Sequence, residues 1–303
     1  MTKINLIVVL GPTASGKTSL AARLARNIGS EIISADSRQV YRGMNLGTGK
    51  DLGEYVVDGV AVPYHLIDIV DPDEEFSVFA YQKRFYRCFS ELIGRGILPV
   101  MAGGTGLYIE SVIRGYEMCE VPENRALREE LAGQDRESLV RRFFSSRPAA
   151  HNTTDLTNES RLIRAIEIAE HAREHPPSVS SPRIEPLIIG IHWDRAVLRR
   201  RITERLKMRL ADGMIEEVRN LHDGGLGWER LFYFGLEYRY IGLYLQGAID
   251  YGEMLRTLNT KIHQFAKRQE TWFRRMERQG IAIHWVQGMD YEGVEEILRS
   301  FAG

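Results

Sequence analysis

The chain has 303 residues, 44% of them hydrophobic, enough to bury a large core, and its length suits about two domains. Its 40 Lys and Arg against 41 Asp and Glu leave a net charge of -1, which excludes a partner advertised by whole-chain charge and shifts attention to how the charges are distributed. Two cysteines, Cys88 and Cys119, exclude a disulfide scaffold and a structural zinc site and point to a reducing, cytoplasmic setting, and no apolar run approaches the roughly 18 to 20 residues of a membrane span.

The N-terminus leads straight into a strand-like run, Ile4 to Leu10, followed by Gly11-Pro12-Thr13-Ala14-Ser15-Gly16-Lys17-Thr18 and then a helical pattern with Leu20, Leu24 and Ile28 on one face. The eight residues fit G-x-x-x-x-G-K-[ST] in the strand-turn-helix setting that motif requires. Glycines at 11 and 16 let successive N–H groups turn inward toward anionic oxygens, and the helix adds the positive end of its dipole. Lys17 is suited to neutralise a terminal phosphate and the Thr18 hydroxyl to ligate Mg²⁺; on the motif alone ATP is the default ligand.

Further along, EIISAD (31–36) reads as a short strand with a carboxylate at its carboxyl end, HLIDIV (65–70) as another strand, and ILPVMAGGTG (97–106) as a buried strand entering a second glycine turn. This alternation predicts an α/β fold with a P-loop NTPase-like parallel sheet flanked by helices. From 115 to 185 the pattern becomes charged and helical, predicting a helical insertion domain inside a core formed by 1–114 and 186–303. PLIIGIHW (186–193) reads as a return to the sheet, and long helices then precede a last strand near IAIHWV.

Basic residues concentrate in the last third. Arg195 to Arg209 holds seven against the single acidic Glu204, and Lys261 to Arg278 holds six against Glu270 and Glu277. In the second stretch Leu255, Leu258, Ile262, Phe265, Trp272 and Met276 predict a core face, while Lys261, Arg268 and Arg275 form a stripe elsewhere. Such a stripe is either a solvated face or, with interleaved aromatics, a contact for a nucleic-acid backbone.

A P-loop kinase or ATPase carries a carboxylate at the tip of a later buried strand, but ILPVMAGGTG ends in Gly103-Gly104-Thr105-Gly106. The carboxylate that faces the loop is Asp36, at the end of the neighbouring strand. It suits a general base acting on an acceptor nucleophile; a second-shell metal ligand or a helix N-cap are the other roles open to it.

With these residues in hand, GPTASGKT, ISADSRQVYRGMNLGTGK, AGGTGLYI, RLIRAIEI and HQFAKRQETWFRR stand in an order that resembles the tRNA dimethylallyltransferases, over nearly the whole chain. The resemblance implies transfer of a dimethylallyl group from dimethylallyl diphosphate to N6 of the adenosine 3′-adjacent to the anticodon. It implies a monomer with no membrane association, Mg²⁺ as cofactor, the tRNA anticodon stem-loop as partner, and an insertion that folds over that stem-loop. By the same resemblance, Gly11, Pro12, Thr13, Ala14, Ser15, Gly16, Lys17, Thr18 and Arg201 bind diphosphate, and Thr18 helps hold the metal. Asp36, Thr105, Lys17 and Arg205 form the catalytic set, with Arg205 capping the diphosphate. Asp36, Ser37, Arg38, Gln39, Thr105, Arg161, Gln264 and Arg268 contact tRNA, with Ser37 and Gln39 reading the edge of a flipped base.

The chain departs from the family at Thr157-Asn158, where an Asn-Asp pair is usual, and at FGLEYRYIG (234–242). Two other classes remain open at this level: an isopentenyltransferase acting on free adenine nucleotides, and a P-loop kinase.

Overall fold

A strand with no polar face has to be covered on both sides, and the five residues Leu6–Leu10 (β1) are all buried at the centre of a parallel sheet. The computed structural model describes residues 4–146, 158–174 and 181–301. After β1 the chain forms α1 (Lys17–Ile28), β2 (Ile32–Ala35), a short 3₁₀ turn (Leu52–Tyr55), the hairpin β3 (Val56–Val57) and β4 (Val60–Ala61), and β5 (Tyr64–His65). Then come α2 (Val78–Gly94), β6 (Val100–Gly103), α3 (Gly106–Ile113), α4 (Arg125–Leu131), α5 (Arg136–Ser146) and α6 (Glu159–Glu174). The remainder is β7 (Pro186–His192), α7 (Arg195–Ala211), α8 (Met214–Asp223), α9 (Trp228–Tyr233), α10 (Leu236–Leu245), α11 (Tyr251–Arg278), β8 (His284–Gln287) and α12 (Tyr291–Phe301).

The sheet order is β5-β2-β6-β1-β7-β8, every pairing parallel. Because side chains alternate along a strand, Leu6, Val8 and Leu10 enter one apolar layer with α2, α3, α7 and α11, while Ile7 and Val9 enter the other with α1 and α12. All loops leaving the carboxyl ends of the strands therefore emerge on one edge, where a doubly wound sheet places its ligands.

The chain divides into two compact units, Met1–Gly115 with Arg183–Gly303, and Tyr116–Pro182. The regular structure of the second unit, among its described residues, is the helices α4, α5 and α6. Leu127, Leu131, Leu139, Phe143, Leu162, Ile166 and Ala169 form its own apolar core. Its buried Glu167 is paired with Arg128 and Arg164 and accepts the Asn124 backbone N–H at 2.6 Å. Thr157 lies outside the described residues, while Asn158 caps α6 by accepting the Arg161 N–H at 3.0 Å.

Three expectations change. HLIDIV is strand only at His65, because Leu66 (φ 62°) and Asp68 (φ 54°) take left-handed backbone conformations that break the ladder. Phe265 is exposed rather than core; the buried face of α11 runs through Met254, Leu258, Ile262, Ala266, Gln269, Phe273 and Met276. Arg275 is no part of a free stripe, since it pairs with the buried Glu110 and stacks on Trp272 at 4.0 Å. The hairpin β3–β4 was not anticipated, although Asp58-Gly59 between valines is the turn signal that produces it.

One close approach depends on glycine. Gly103 sits opposite Ala35 in the β2–β6 register, and a Cβ there would run into the Ala35 carbonyl and its side chain. Gly103→Ala should destabilise the protein by about 1–3 kcal/mol; equal denaturation midpoints for the variant and the wild type would contradict this packing.

Candidate active site

Anion binding begins with what the first turn of α1 lacks. Its N-cap is Gly16 (φ 89°), no side chain caps it, and its first turn holds no acidic residue, so the opening N–H groups await an acceptor. Ala14, with φ 62°, is a non-glycine residue held in a left-handed conformation, and the buried Ser15 Oγ has no hydrogen-bond partner among the described residues. Strained backbone and an orphaned hydroxyl in one loop fit a cradle shaped for a ligand.

The loop is held from behind by segments far away in sequence. Trp193, after β7, donates its indole N–H to the Ser15 carbonyl at 3.0 Å. Arg201 of α7 donates Nε to the Ala14 carbonyl at 2.8 Å and lies over the Trp193 ring at 4.6 Å. Gln269 of α11 accepts the Thr13 N–H at 2.8 Å, and Met289, after β8, packs against Gly16. Within the loop the Ser15 N–H is bonded to the Pro12 carbonyl at 3.2 Å.

Three cations border the cradle. Burial pulls Lys17 down to about 8, with the nearby Asp36 carboxylate acting against that pull and Arg205 and Arg209 adding to it. Arg205 and Arg209 lie one turn apart on α7 and share Asp51: Arg205 reaches Oδ2 at 2.6 Å, and Arg209 reaches Oδ2 at 2.9 Å and Oδ1 at 3.2 Å. Burial pushes the Asp51 carboxyl up, but the two guanidinium groups prevail and hold it below the usual range. Gly49 packs directly against both. The buried Arg209 Nε has no partner among the described residues, a second orphaned donor at the site.

Opposite stands Asp36, at the end of β2. Its Oδ1 accepts the Arg38 N–H at 2.9 Å and the Gln39 N–H at 3.4 Å, so the carboxylate is fixed by its own turn, and Oδ2 has no hydrogen-bond partner among the described residues. Thr105, in the turn after β6, accepts the Ser37 N–H at 3.0 Å and donates to the Ser37 hydroxyl at 3.4 Å. The two strand ends are thereby tied together beside Asp36. Gln39 is engaged internally, donating to the Gly49 carbonyl at 3.0 Å with its oxygen 3.4 Å from the Ser34 hydroxyl. Arg38 donates to the Tyr233 carbonyl at 3.0 Å and lies 5.0 Å from the ring of Tyr233, which is half exposed.

The long loop from 41 to 50 is built on a buried lysine and a half-buried glutamate. Lys50 donates to the Tyr41 carbonyl at 2.7 Å and pairs with Asp68. Glu217 of α8 accepts the N–H groups of Asn45, Leu46 and Gly47 and the Tyr238 hydroxyl. These bonds are what deliver Asp51 to the two arginines.

Gln264 and Arg268 are exposed on α11 with Phe265 between them, and Arg161 is exposed on α6. Sequence reasoning did not single out Gln269, Asp51, Trp193 or Glu54, and it placed Arg205 ahead of Arg209 as the arginine that caps the diphosphate. Two left signals: Gln269 is a polar residue at a position of the apolar stripe, and Arg209 continues the four-residue spacing of Arg201 and Arg205. The other three carry none: Asp51 and Trp193 are single loop residues and Glu54 sits in the short 3₁₀ turn.

A divalent cation fits the donor set in one way. Among the described residues no three His, Cys, Asp or Glu side chains cluster as metal ligands, so a cation would share the Thr18 hydroxyl and phosphate oxygens. The Glu54 carboxyl, pushed up by burial, lies near the Thr18 hydroxyl. No helix of the described residues is long and apolar enough to cross a membrane.

The model of the family described as "IPP transferase" matches residues 39–276, and that described as "Isopentenyl transferase" matches residues 4–59. The chain belongs to the IPP transferase family. Among IPP transferase relatives, it is 58% identical to the tRNA dimethylallyltransferase 1 of Syntrophus aciditrophicus, covering 97% of each chain. The crystal structure of the tRNA isopentenylpyrophosphate transferase of Bacillus halodurans is 32% identical with a TM-score of 0.69, covering 99% of this chain and 95% of that one. A eukaryotic dimethylallyltransferase solved acting on tRNA shares the fold at a TM-score of 0.76 and 19% identity, over 99% of this chain and 78% of its own.

An IPP transferase cradle that depends on a lysine titrating near 8 has a pH signature. Affinity for inorganic diphosphate should fall as pH rises through about 8, because the ammonium that binds the anion is lost there. Lys17→Arg keeps its charge and should flatten the fall; calorimetry between neutral and alkaline pH checks this, and identical profiles for both proteins would remove Lys17 from the cradle.

Proposed function

We propose that this protein is a tRNA dimethylallyltransferase that moves the dimethylallyl group of dimethylallyl diphosphate onto N6 of the adenosine immediately 3′ of the anticodon and releases diphosphate. The observation that carries the reading is the pairing of an uncapped, strained anion cradle with Asp36, whose Oδ2 is open, while the turn after β6 offers Thr105 and no carboxylate to activate water. Relatives and solved neighbours with tRNA prenyltransferase names support it.

The residues divide the work as follows. The loop from Gly11 to Thr18 takes the diphosphate on its backbone amides, with Lys17 foremost and Arg205 and Arg209 on the flank. As the carbon–oxygen bond of the donor breaks, these three cations neutralise the charge that gathers on the leaving oxygen. Arg201, through the Ala14 carbonyl, keeps the loop in shape for that task. Asp36 Oδ2 takes the proton of the exocyclic amine as nitrogen bonds to the allylic carbon. Thr105 and Ser37 hold Asp36 against the cradle. A divalent cation, Mg²⁺, supplies further positive charge to the diphosphate when bound through Thr18.

On the RNA side we assign Ser37, Arg38 and Gln39 to the target nucleotide, with Gln39 exchanging its internal bonds for the base edge. Gln264 and Arg268 of α11 and Arg161 of the helical unit meet the stem-loop backbone. The protein acts as a monomer in the cytoplasm.

A second reading, prenylation of free adenine nucleotides, shares the cradle and Asp36. The exposed Gln264, Phe265, Lys267 and Arg268 on one long helix favour RNA, because a free nucleotide needs no such face. With labelled donor, Mg²⁺ and an anticodon stem-loop carrying the target adenosine, label should enter the RNA and excess AMP should not compete. Labelling of AMP in preference to RNA would establish the second reading, and labelling of neither would end both. Asp36→Ala should lower turnover by about 10²- to 10⁴-fold with stem-loop affinity unchanged; unaltered turnover would take Asp36 out of the chemistry.

A further inference from the structure

The stretch HQFAKRQETWFRR on α11 has the composition of an RNA-binding face, and Arg268 on it is exposed. The next residue turns the other way. Gln269 is buried, at 8% exposure, in a row otherwise formed by Leu258, Ile262, Ala266, Phe273 and Met276.

An amide in such a row costs free energy unless both of its ends are bonded. Both are. Gln269 Oε1 accepts the Thr13 N–H of the first glycine loop at 2.8 Å, and Nε2 donates to the Gly104 carbonyl of the second at 2.9 Å. The fit leaves no slack, since a Cβ on Gly104 would collide with Nε2 and lie 3.4 Å from Lys17 Cε. One side chain therefore spans the gap between the loop that bears Lys17 and the turn whose Thr105 holds Ser37 beside Asp36.

We propose that Gln269 is a positioning residue for the diphosphate of the prenyl donor, fixing the separation of the two glycine turns, and that it acts on the donor rather than on RNA despite lying in the basic helix. The proposal rests on the prenyl-transfer reading for the identity of the donor, but its physical content is the width of an anion cradle. Thr13 N–H, committed to Gln269, is withheld from the phosphates. Without the carboxamide, the Thr13 N–H and the buried Gly104 carbonyl lose their common partner, and the two loops are left to the β1–β6 ladder, which ends with Leu10 opposite Gly103.

Gln269→Met keeps the length and removes both bonds. Binding of inorganic diphosphate with Mg²⁺, measured by calorimetry, should weaken about tenfold, and the KM for dimethylallyl diphosphate should rise by a similar factor. The dissociation constant for the anticodon stem-loop, measured without donor, should stay within about twofold. A merely structural residue would not divide the two ligands in this way. Should Gln269→Met fail to fold, Gln269→Glu, which loses the donor to Gly104, is judged by the same measurements. A folded variant whose diphosphate affinity and donor KM match the wild type, or whose stem-loop affinity falls as far as its diphosphate affinity, overturns the proposal. A wild-type protein that binds diphosphate but never transfers the prenyl group would refute the proposed reaction and leave the calorimetric test of Gln269 standing.

Discussion

The first glycine loop keeps its shape because it is gripped from outside, and most of the fold supplies that grip. Ala14, a non-glycine residue in a left-handed conformation, is strained backbone that has to be held in place. The shape persists because Trp193 follows β7, Arg201 lies on α7, Gln269 on α11 and Met289 after β8, each touching a different part of the loop. A parallel sheet makes this possible: its strands deliver their following residues to one edge, so segments nearly three hundred residues apart in sequence meet around Gly11 to Thr18.

The electrostatics of that edge are a balance of opposed charges at close range. Lys17, Arg205 and Arg209 stand against Asp36, Asp51, Glu54 and Glu237, and burial bears on several of them. It pushes Glu54 and Glu237 upward, whereas Asp51, with two arginines on it, is held below the usual carboxylate range. Asp51 keeps two like-charged guanidinium groups together, an arrangement that would otherwise separate by repulsion. The cations are thus gathered by the fold itself, the preorganisation on which the proposed diphosphate binding relies.

Helix α11 joins the two halves of the proposed chemistry. Its exposed face carries Gln264, Phe265 and Arg268, and its buried face carries Gln269 into the cradle and Arg275 onto Glu110. Charge on a helix is therefore no guide to its use. Arg268 and Arg275 lie seven residues apart, yet Arg275 is consumed by a buried carboxylate and Arg268 is open to solvent.

Local patterns were enough to read the strands β1, β2, β6, β7 and β8, the glycine loop, the position of Asp36 and the helices α4, α5 and α6, because each rests on spacing within a few residues or on a continuous apolar run. Recognition of the family followed from motif order along one dimension. The partners of those motifs were invisible: Gln269 and Thr13 are separated by 256 positions and Arg209 and Asp51 by 158, and no periodicity links them. HLIDIV failed as a strand because left-handed residues at Leu66 and Asp68 answer to the turn they must make, not to hydrophobicity. The sequence by itself determined which chemical groups are present and which strand ends carry them. Only the tertiary structure decided which polar groups are already satisfied and which remain open, because hydrogen bonding and desolvation depend on distances that chain folding alone creates.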